Sequence, residues 1–201
     1  MDSLLKWYAE RKNQIKSRLN DFKSLKDKEY FNELLFCLLT PQSNAQSCWK
    51  AVLELKKVNL EKAKKTQVAD ILKSKTRFHN NKAGYILEAA RNWNDIKEKL
   101  NNNNSIELRN WLAENVKGFG YKEAGHFLRN IGKSNNKIAI LDRHILRNLK
   151  DMKVIEEDKI KNKNHYFKVE NNFLKFSNKI KIPIDELDLL FWSKKNREVF
   201  K

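Results

Sequence analysis

Two cysteines, two prolines and five glycines are all this 201-residue chain has of the residues that most constrain or punctuate a fold. With only Cys37 and Cys48, one chain supplies neither a disulfide scaffold nor a four-cysteine zinc site nor an all-cysteine iron–sulfur cluster. No apolar run approaches the ~20 residues a bilayer span needs, so no membrane association is expected. The opening MDSLLKWYAERKNQIKSRLN turns to charge within a few residues and lacks the apolar core of a signal peptide. Together these features lead us to expect a soluble protein of the reducing cytoplasm. Glycine and proline both fall well below their average shares of ~7% and ~5%. With abundant Leu, Lys, Glu and Ala and no sustained two-residue alternation, the pattern predicts an all-α chain.

What is present is enough for a core. Hydrophobic residues make up 40% and aromatics 10%, which excludes wholesale disorder, and the length suits one domain or two small lobes. Helices are predicted near 2–19, 28–39, 44–55, 66–73, 81–92, 105–115, 121–131, 143–150, 157–176 and 185–195. Loops are predicted at Ser24–Asp27, Thr40–Ser43, Arg77–Asn80, Asn101–Asn104 and Gly132–Lys137. The segment FNELLFCLLT over 31–40 is apolar on nearly every side, so it reads as a buried central helix, with Cys37 in the core. Lys and Arg total 42 against 25 Asp and Glu, a formal charge of +17. That surplus favours a polyanionic partner, nucleic acid before acidic lipid. The plainer alternative is a Lys- and Asn-rich genome, since the nine arginines leave 33 lysines spread along the whole chain.

Because glycine is so rare, its placement is informative. Gly118 and Gly120 sit in Val116-Lys117-Gly118-Phe119-Gly120-Tyr121-Lys122, between two amphipathic stretches. Gly-apolar-Gly makes a tight hairpin, because each glycine lacks the Cβ that forbids positive φ. The next helix then starts with exposed N–H groups able to take a phosphate. A plain turn joining two helices is the alternative. Lys122 falls in the first turn of that helix, where the positive end of the helix dipole disfavours an ammonium. A nucleophilic lysine needs its free amine, so this is a sensible address for one. An ordinary solvated lysine is the competing reading. Twenty residues on, IAILDRHILRNL places Asp142 after an apolar run and before a helix. There it serves as N-cap, and an N-capping carboxylate is held ionised, as a general base or cation stabiliser requires.

These residues carry a resemblance. VKGFGYKEA, with its lysine some twenty residues before the LDRH aspartate, resembles the helix–hairpin–helix DNA glycosylase superfamily. FLRNIG, IAILDRHILRNL, LLTPQSNAQS, TRFHNNKAGYI and the terminal LDLLFW…VFK are similar to the type-2 8-oxoguanine DNA glycosylases, and these matches run from about residue 36 to residue 201. One departure is Gly132-Lys133-Ser134-Asn135-Asn136-Lys137, which has no proline and one glycine, unlike the Gly/Pro-rich loop of the superfamily. The resemblance implies two helical lobes, a central one over 31–118 and a second from 1–30 plus 119–201, with the active site in the cleft between them.

The resemblance also implies roles. Lys122 would attack C1′ of the damaged nucleotide and expel 8-oxoguanine, and its Schiff base would permit β-elimination and strand nicking. Asp142 would activate the lysine and steady the oxocarbenium character of the sugar. The nucleotide must first be extruded from the duplex. Gln42 would plug the space left behind, or else serve loop and cap chemistry. Phe78 would stack on a base, or else staple the next helix. Apolar residues continue through Leu187, Leu189, Leu190, Phe191, Trp192, Val199 and Phe200, so the chain end is expected to tuck in and bring Lys201 with it. Trp192 and Lys201 would then recognise the base, with Asp188 one helical turn before Trp192. For these the alternatives are a core tryptophan and a solvated aspartate. Arg129, Arg143 and Arg147 are candidates for phosphate contacts, while His126 and His144 read as packed or solvated. The expected partner is double-stranded DNA containing 8-oxoguanine, with a monomer as the working unit and no metal or small-molecule cofactor. Two rivals remain at this level: an oxidised-pyrimidine glycosylase of the same superfamily, and a non-catalytic helix–hairpin–helix DNA-binding protein.

Overall fold

Helices are what a chain so poor in breakers should form, and in the computed structural model they account for all regular structure among the described residues, 2–196 and 199–201. They run α1 (Asp2–Lys23), α2 (Asp27–Leu39), α3 (Ala45–Leu55), α4 (Lys65–Leu72), α5 (His79–Arg91), α6 (Trp93–Lys99), α7 (Ser105–Asn115), α8 (Tyr121–Asn130), α9 (Arg143–Asp151), α10 (Lys163–Ile180) and α11 (Ile184–Asn196). The all-α class expected from sequence is the class observed. Two elements differ from expectation. The helix α6 was not anticipated, because Asn92-Trp93-Asn94-Asp95 is a poor helical sequence; Asn92 both ends α5 and starts α6, and Ile96 is buried. The start predicted at 157 for α10 moves to Lys163, since Asn162 caps the helix by accepting from the His165 N–H.

The chain divides into two compact units. One is Leu25–Phe127; the other joins the chain up to Ser24 with the segment from Leu128 on. In the first, α2 is the core: Glu33 through Leu39 are all buried, and α3 and α5 pack on it. This is the central helix read from FNELLFCLLT. In the second, α11 is the core, packed by α1, α9 and α10, with Phe191 stacked between Trp7 at 6.4 Å and Phe173 at 6.0 Å. The division corrects the expected boundary at 118. It falls inside α8, after Phe127, and groups Lys122 with the central unit. Packing explains this: Phe119 is buried and its ring lies 6.1 Å from that of Phe127.

At the other end of α8 the backbone makes a tight stop. The N–H of Lys133 donates to Leu128 O at 2.8 Å and that of Gly132 to Arg129 O at 3.1 Å, with Gly132 at φ 70°. This is a Schellman ending, where a left-handed residue satisfies the orphan carbonyls of the last turn. A Cβ at Gly132 would lie 2.7 Å from Lys23 Cα, so the end of α1 is seated directly on this turn. Gly132→Ala should therefore cost about 2 kcal/mol in urea unfolding, from left-handed strain plus displacement of α1. An unchanged midpoint would contradict the close backbone approach.

Candidate active site

The hairpin between α7 and α8 is set by one glycine more than by the pair. Gly118 has φ 93°, and a Cβ there would lie 2.5 Å from the Tyr85 ring and 3.1 Å from Leu38 Cδ2, so the turn rests on α5 and α2. Gly120 needs no positive φ, contrary to the expectation that both glycines would. It is instead the N-cap of α8: its carbonyl accepts from the Ala124 N–H at 3.0 Å, and its own N–H donates to Glu123 Oε2 at 3.2 Å. A carboxylate at the third helical position reaching back to the cap is half of a capping box.

That geometry places Lys122 in the first turn, as the sequence predicted. Its side chain is 25% exposed, and Nζ lies 2.7 Å from Glu123 Oε1. Glu123 thus holds the cap with one oxygen and the lysine with the other. The guanidinium of the buried Arg109 sits 5.3 Å from the Tyr121 ring centroid and steadies the residue before Lys122.

Asp142 is the N-cap of α9, also as predicted. Its Oδ1 accepts from the His144 N–H at 2.7 Å and the Ile145 N–H at 2.8 Å. Both bonds use one oxygen, and Oδ2 has no partner among the described residues. The run before Asp142 belongs to no helix, and part of its backbone is paired by side chains of α10. Glu170 of α10 accepts from the Ala139 N–H at 2.8 Å, and Tyr166 donates to Ala139 O at 2.9 Å. Upstream, Asp185 accepts from the Ser134 hydroxyl at 2.6 Å and the Asn136 N–H at 3.3 Å. Burial pushes the Asp185 carboxyl up from its ordinary range, against the opposing pull of the Ser134 bond and the Arg129 charge.

Gln42 and Phe78 stand at the tips of two loops of the Leu25–Phe127 unit. Both are left-handed, at φ 55° and 57°, and both are exposed; the Phe78 ring is 52% exposed with the Arg77 guanidinium 5.4 Å from its centroid. An exposed ring is not a staple, and the cap of the helix after Gln42 is Asn44, which accepts from the Ser47 N–H. The Ser43 and Thr76 hydroxyls lie 2.8 Å apart and join the two loops, and Ser43 Oγ accepts from the Arg77 N–H at 3.0 Å. Beneath them Lys82, 3% exposed, donates to Leu39 O at 2.7 Å, Pro41 O at 2.8 Å, Ser43 Oγ at 3.0 Å and Thr76 Oγ1 at 2.7 Å. Burial lowers its pKa to about 8; the Lys122 and Arg77 charges push the same way, while Cys48 and Glu123 oppose.

The remaining candidates lie in the other unit. Arg143 and Arg147 are exposed one turn apart on α9. Arg129 is not a phosphate contact: it is 3% exposed, because α8 is buried all round from Ala124, and its Nη2 lies 3.4 Å from Asp188 Oδ2. Asp188 is accordingly buried, not a solvated aspartate. Trp192 is half-buried with its ring 6.3 Å from that of Phe200, Val199 is buried and accepts at its carbonyl from Arg18 Nε at 3.4 Å, and Lys201 is half-buried. His126 packs edge-on to Phe36 at 5.6 Å, and Cys37 is fully buried. Among the described residues no helix is long and apolar enough to cross a membrane.

A family model described as 8-oxoguanine DNA glycosylase matches residues 15–182. The chain belongs to the 8-oxoguanine DNA glycosylase family. Similar relatives include the 8-oxoguanine DNA glycosylase/AP lyase of Fusobacterium nucleatum, 39% identical over 98% of this chain and 95% of the relative. That of Methanocaldococcus jannaschii is 35% identical over 96% and 94%. Among solved structures, the 8-oxoguanine DNA glycosylase of Thermotoga maritima superposes with a TM-score of 0.89 at 29% identity, covering 100% of this chain and 97% of that one. The M. jannaschii glycosylase/lyase in complex with a 15mer DNA containing 8-oxoguanine gives 0.87 at 32% identity, with 100% of both chains covered.

Three residues of this family member were missed in the sequence although each left a signal. Gly-x-x-Glu at 120–123 is a capping pattern and points to Glu123. Lys82 heads the buried stripe Lys82-Ile86-Ala90, and Glu170 lies on the buried stripe Tyr166-Glu170-Phe173. A charge on a buried face needs named partners. For Asp142 the cap and the charge are separable, since asparagine caps about as well as aspartate. Asp142→Ala should cost about 1 kcal/mol in thermal or urea unfolding and Asp142→Asn only a few tenths; equal losses would mean that the cap bonds do not support α9.

Proposed function

We propose that this chain excises 8-oxoguanine from duplex DNA and then cleaves the strand by β-elimination, with Lys122 as nucleophile and Asp142 as its carboxylate partner. The observation that carries the reading is a lysine set in the first turn after the Gly118 hairpin. The family membership supports it, as do relatives named 8-oxoguanine DNA glycosylase/AP lyase.

The chemistry runs as follows. The Lys122 amine leaves Glu123, sheds a proton, and forms a bond from Nζ to C1′ as the N-glycosidic bond breaks. The base departs with the bonding pair and takes up a proton. Asp142, its Oδ2 unengaged, stabilises positive charge at the sugar and accepts the proton of the amine. The C1′–O4′ bond opens as O4′ takes back the proton held by Asp142, which gives an iminium. Water takes the C2′ proton as the 3′-phosphate leaves with the C3′–O bonding pair, and a second water hydrolyses the resulting imine to return the free lysine. The steps are complete with these groups and water, so they call for no metal or cofactor.

Extrusion of the nucleotide leaves a gap that Gln42 fills, while Phe78, Trp192 and Lys201 contact the extruded base. Asp188 enters through its pair with Arg129, beneath Trp192 on α11. The hairpin of Gly118 and Gly120 meets the DNA backbone, Arg143 takes a phosphate, and the charge of +17 supplies long-range attraction. We assign the work to a monomer acting on chromosomal DNA in the cytoplasm.

Borohydride should trap a covalent adduct on a duplex with one 8-oxoguanine opposite cytosine, and Lys122→Gln should abolish both adduct and cleavage while retaining lesion binding. Trapping only on oxidised-pyrimidine duplexes would move the substrate, and tight binding with no adduct anywhere would leave a DNA-binding module. Asp142→Asn should slow excision by about 100-fold or more; an unimpaired variant would remove the carboxylate from the mechanism. Deleting Lys201 should weaken discrimination of 8-oxoguanine from guanine by about tenfold. Unchanged selectivity would take the terminal residue out of recognition.

A further inference from the structure

The bonds made by Lys82 are unusual for a buried lysine. It meets four oxygens, none of them a carboxylate, and they come from three places. Leu39 O is the last carbonyl of α2, an orphan at the negative end of a buried helix, where an ammonium is favoured. Pro41 O and Ser43 Oγ belong to the loop that carries Gln42. Thr76 Oγ1 belongs to the loop that carries Phe78, and it also donates to Leu39 O at 3.0 Å.

Both loop tips are held where non-glycine residues are rarely found. In the first loop the Ser43 N–H donates to Thr40 O at 3.0 Å across Pro41-Gln42, a turn whose third position normally takes glycine. Such backbone persists only when its surroundings over-determine it. Here the surroundings are the Lys82 ammonium and the two hydroxyls it gathers.

From this geometry we infer that Lys82 is a positioning residue for lesion recognition: one ammonium clasps the Gln42 loop to the Phe78 loop, so that plug and stacking ring enter the DNA as a single preformed unit. The inference rests on the roles assigned above to Gln42 and Phe78. The depressed pKa accords with a cation held by neutral acceptors and faced by Cys48, Arg77, Lys122 and Glu123. Lys82 does not act as a second nucleophile, because its amine is buried and committed to the loops. Its value is preorganisation, since misplacing such groups by about 1 Å can cost on the order of 100-fold in rate.

The test is a double-mutant cycle on the full chain under single-turnover conditions. Lys82→Met should slow excision of 8-oxoguanine from duplex DNA by about 10- to 100-fold. It should slow cleavage at a preformed abasic site less, since no base is read there. In a Gln42→Ala/Phe78→Ala background the same substitution should have little further effect. Ser43→Ala removes the hydroxyl that meets Thr76, the Arg77 N–H and Lys82, while leaving Lys82 on Leu39 O, Pro41 O and Thr76 Oγ1, and should reproduce the pattern in milder form even if Lys82→Met folds poorly.

Equal slowing of both reactions, or a Lys82→Met loss that is fully additive with the loop-tip substitutions, would make the residue a helix cap alone and overturn the inference. If Gln42→Ala/Phe78→Ala is itself silent in an active enzyme, the roles of the loop tips fall, and the clasp with them.

Discussion

The absent Cβ at Gly118 is the constraint on which the presentation of Lys122 depends. At that position the chain turns with positive φ and lies against the Tyr85 ring and Leu38, in contact too close for any other residue. The contact seats the hairpin on α2 and α5, Phe119 is drawn inward, and Gly120 becomes the cap of α8. Only then does Lys122 stand in a first turn. The placement of Lys122 is therefore a consequence of backbone packing, with Arg109 on Tyr121 and Glu123 on the cap as local supports.

Both members of the proposed catalytic pair begin a helix, but the field acts on them in opposite senses. The positive end of the helix dipole attracts the carboxylate of Asp142 and repels the ammonium of Lys122. Glu123 at 2.7 Å offsets the second effect in the resting structure. The segment that leads to Asp142 is additionally held at Ala139, whose N–H and carbonyl are bonded by Glu170 and Tyr166 of α10. A lysine that can leave its partner and a carboxylate that cannot move suit a nucleophile and a stationary stabiliser.

Much of this was legible before the structure. The helices, the buried Leu34–Leu39 segment, the hairpin and the capping role of Asp142 follow from periodicity, rare glycines and motif spacing, and the family from the resemblance of its motifs. What escaped did so for physical reasons. The helix α6 is short and Asn-rich, so its propensity is poor and tertiary burial of Ile96 decides it. Arg129 reads as a surface charge until α8 is seen to be enclosed and Asp188 to be its partner. Lys82 lies among 33 lysines, and three of its four bonds go to Leu39, Pro41 and Ser43, distant in sequence, which a local pattern does not reveal. The unit boundary escaped because it falls inside one continuous helix, where composition does not change.

Which lysine bonds to DNA decides the proposed mechanism. The direct measurement is to reduce the covalent intermediate formed on an 8-oxoguanine duplex, digest the protein, and locate the sugar-bearing residue by mass spectrometry. The modification should fall on Lys122 alone. A modified Lys82, or an adduct spread over several surface lysines, would contradict the assignment of the nucleophile.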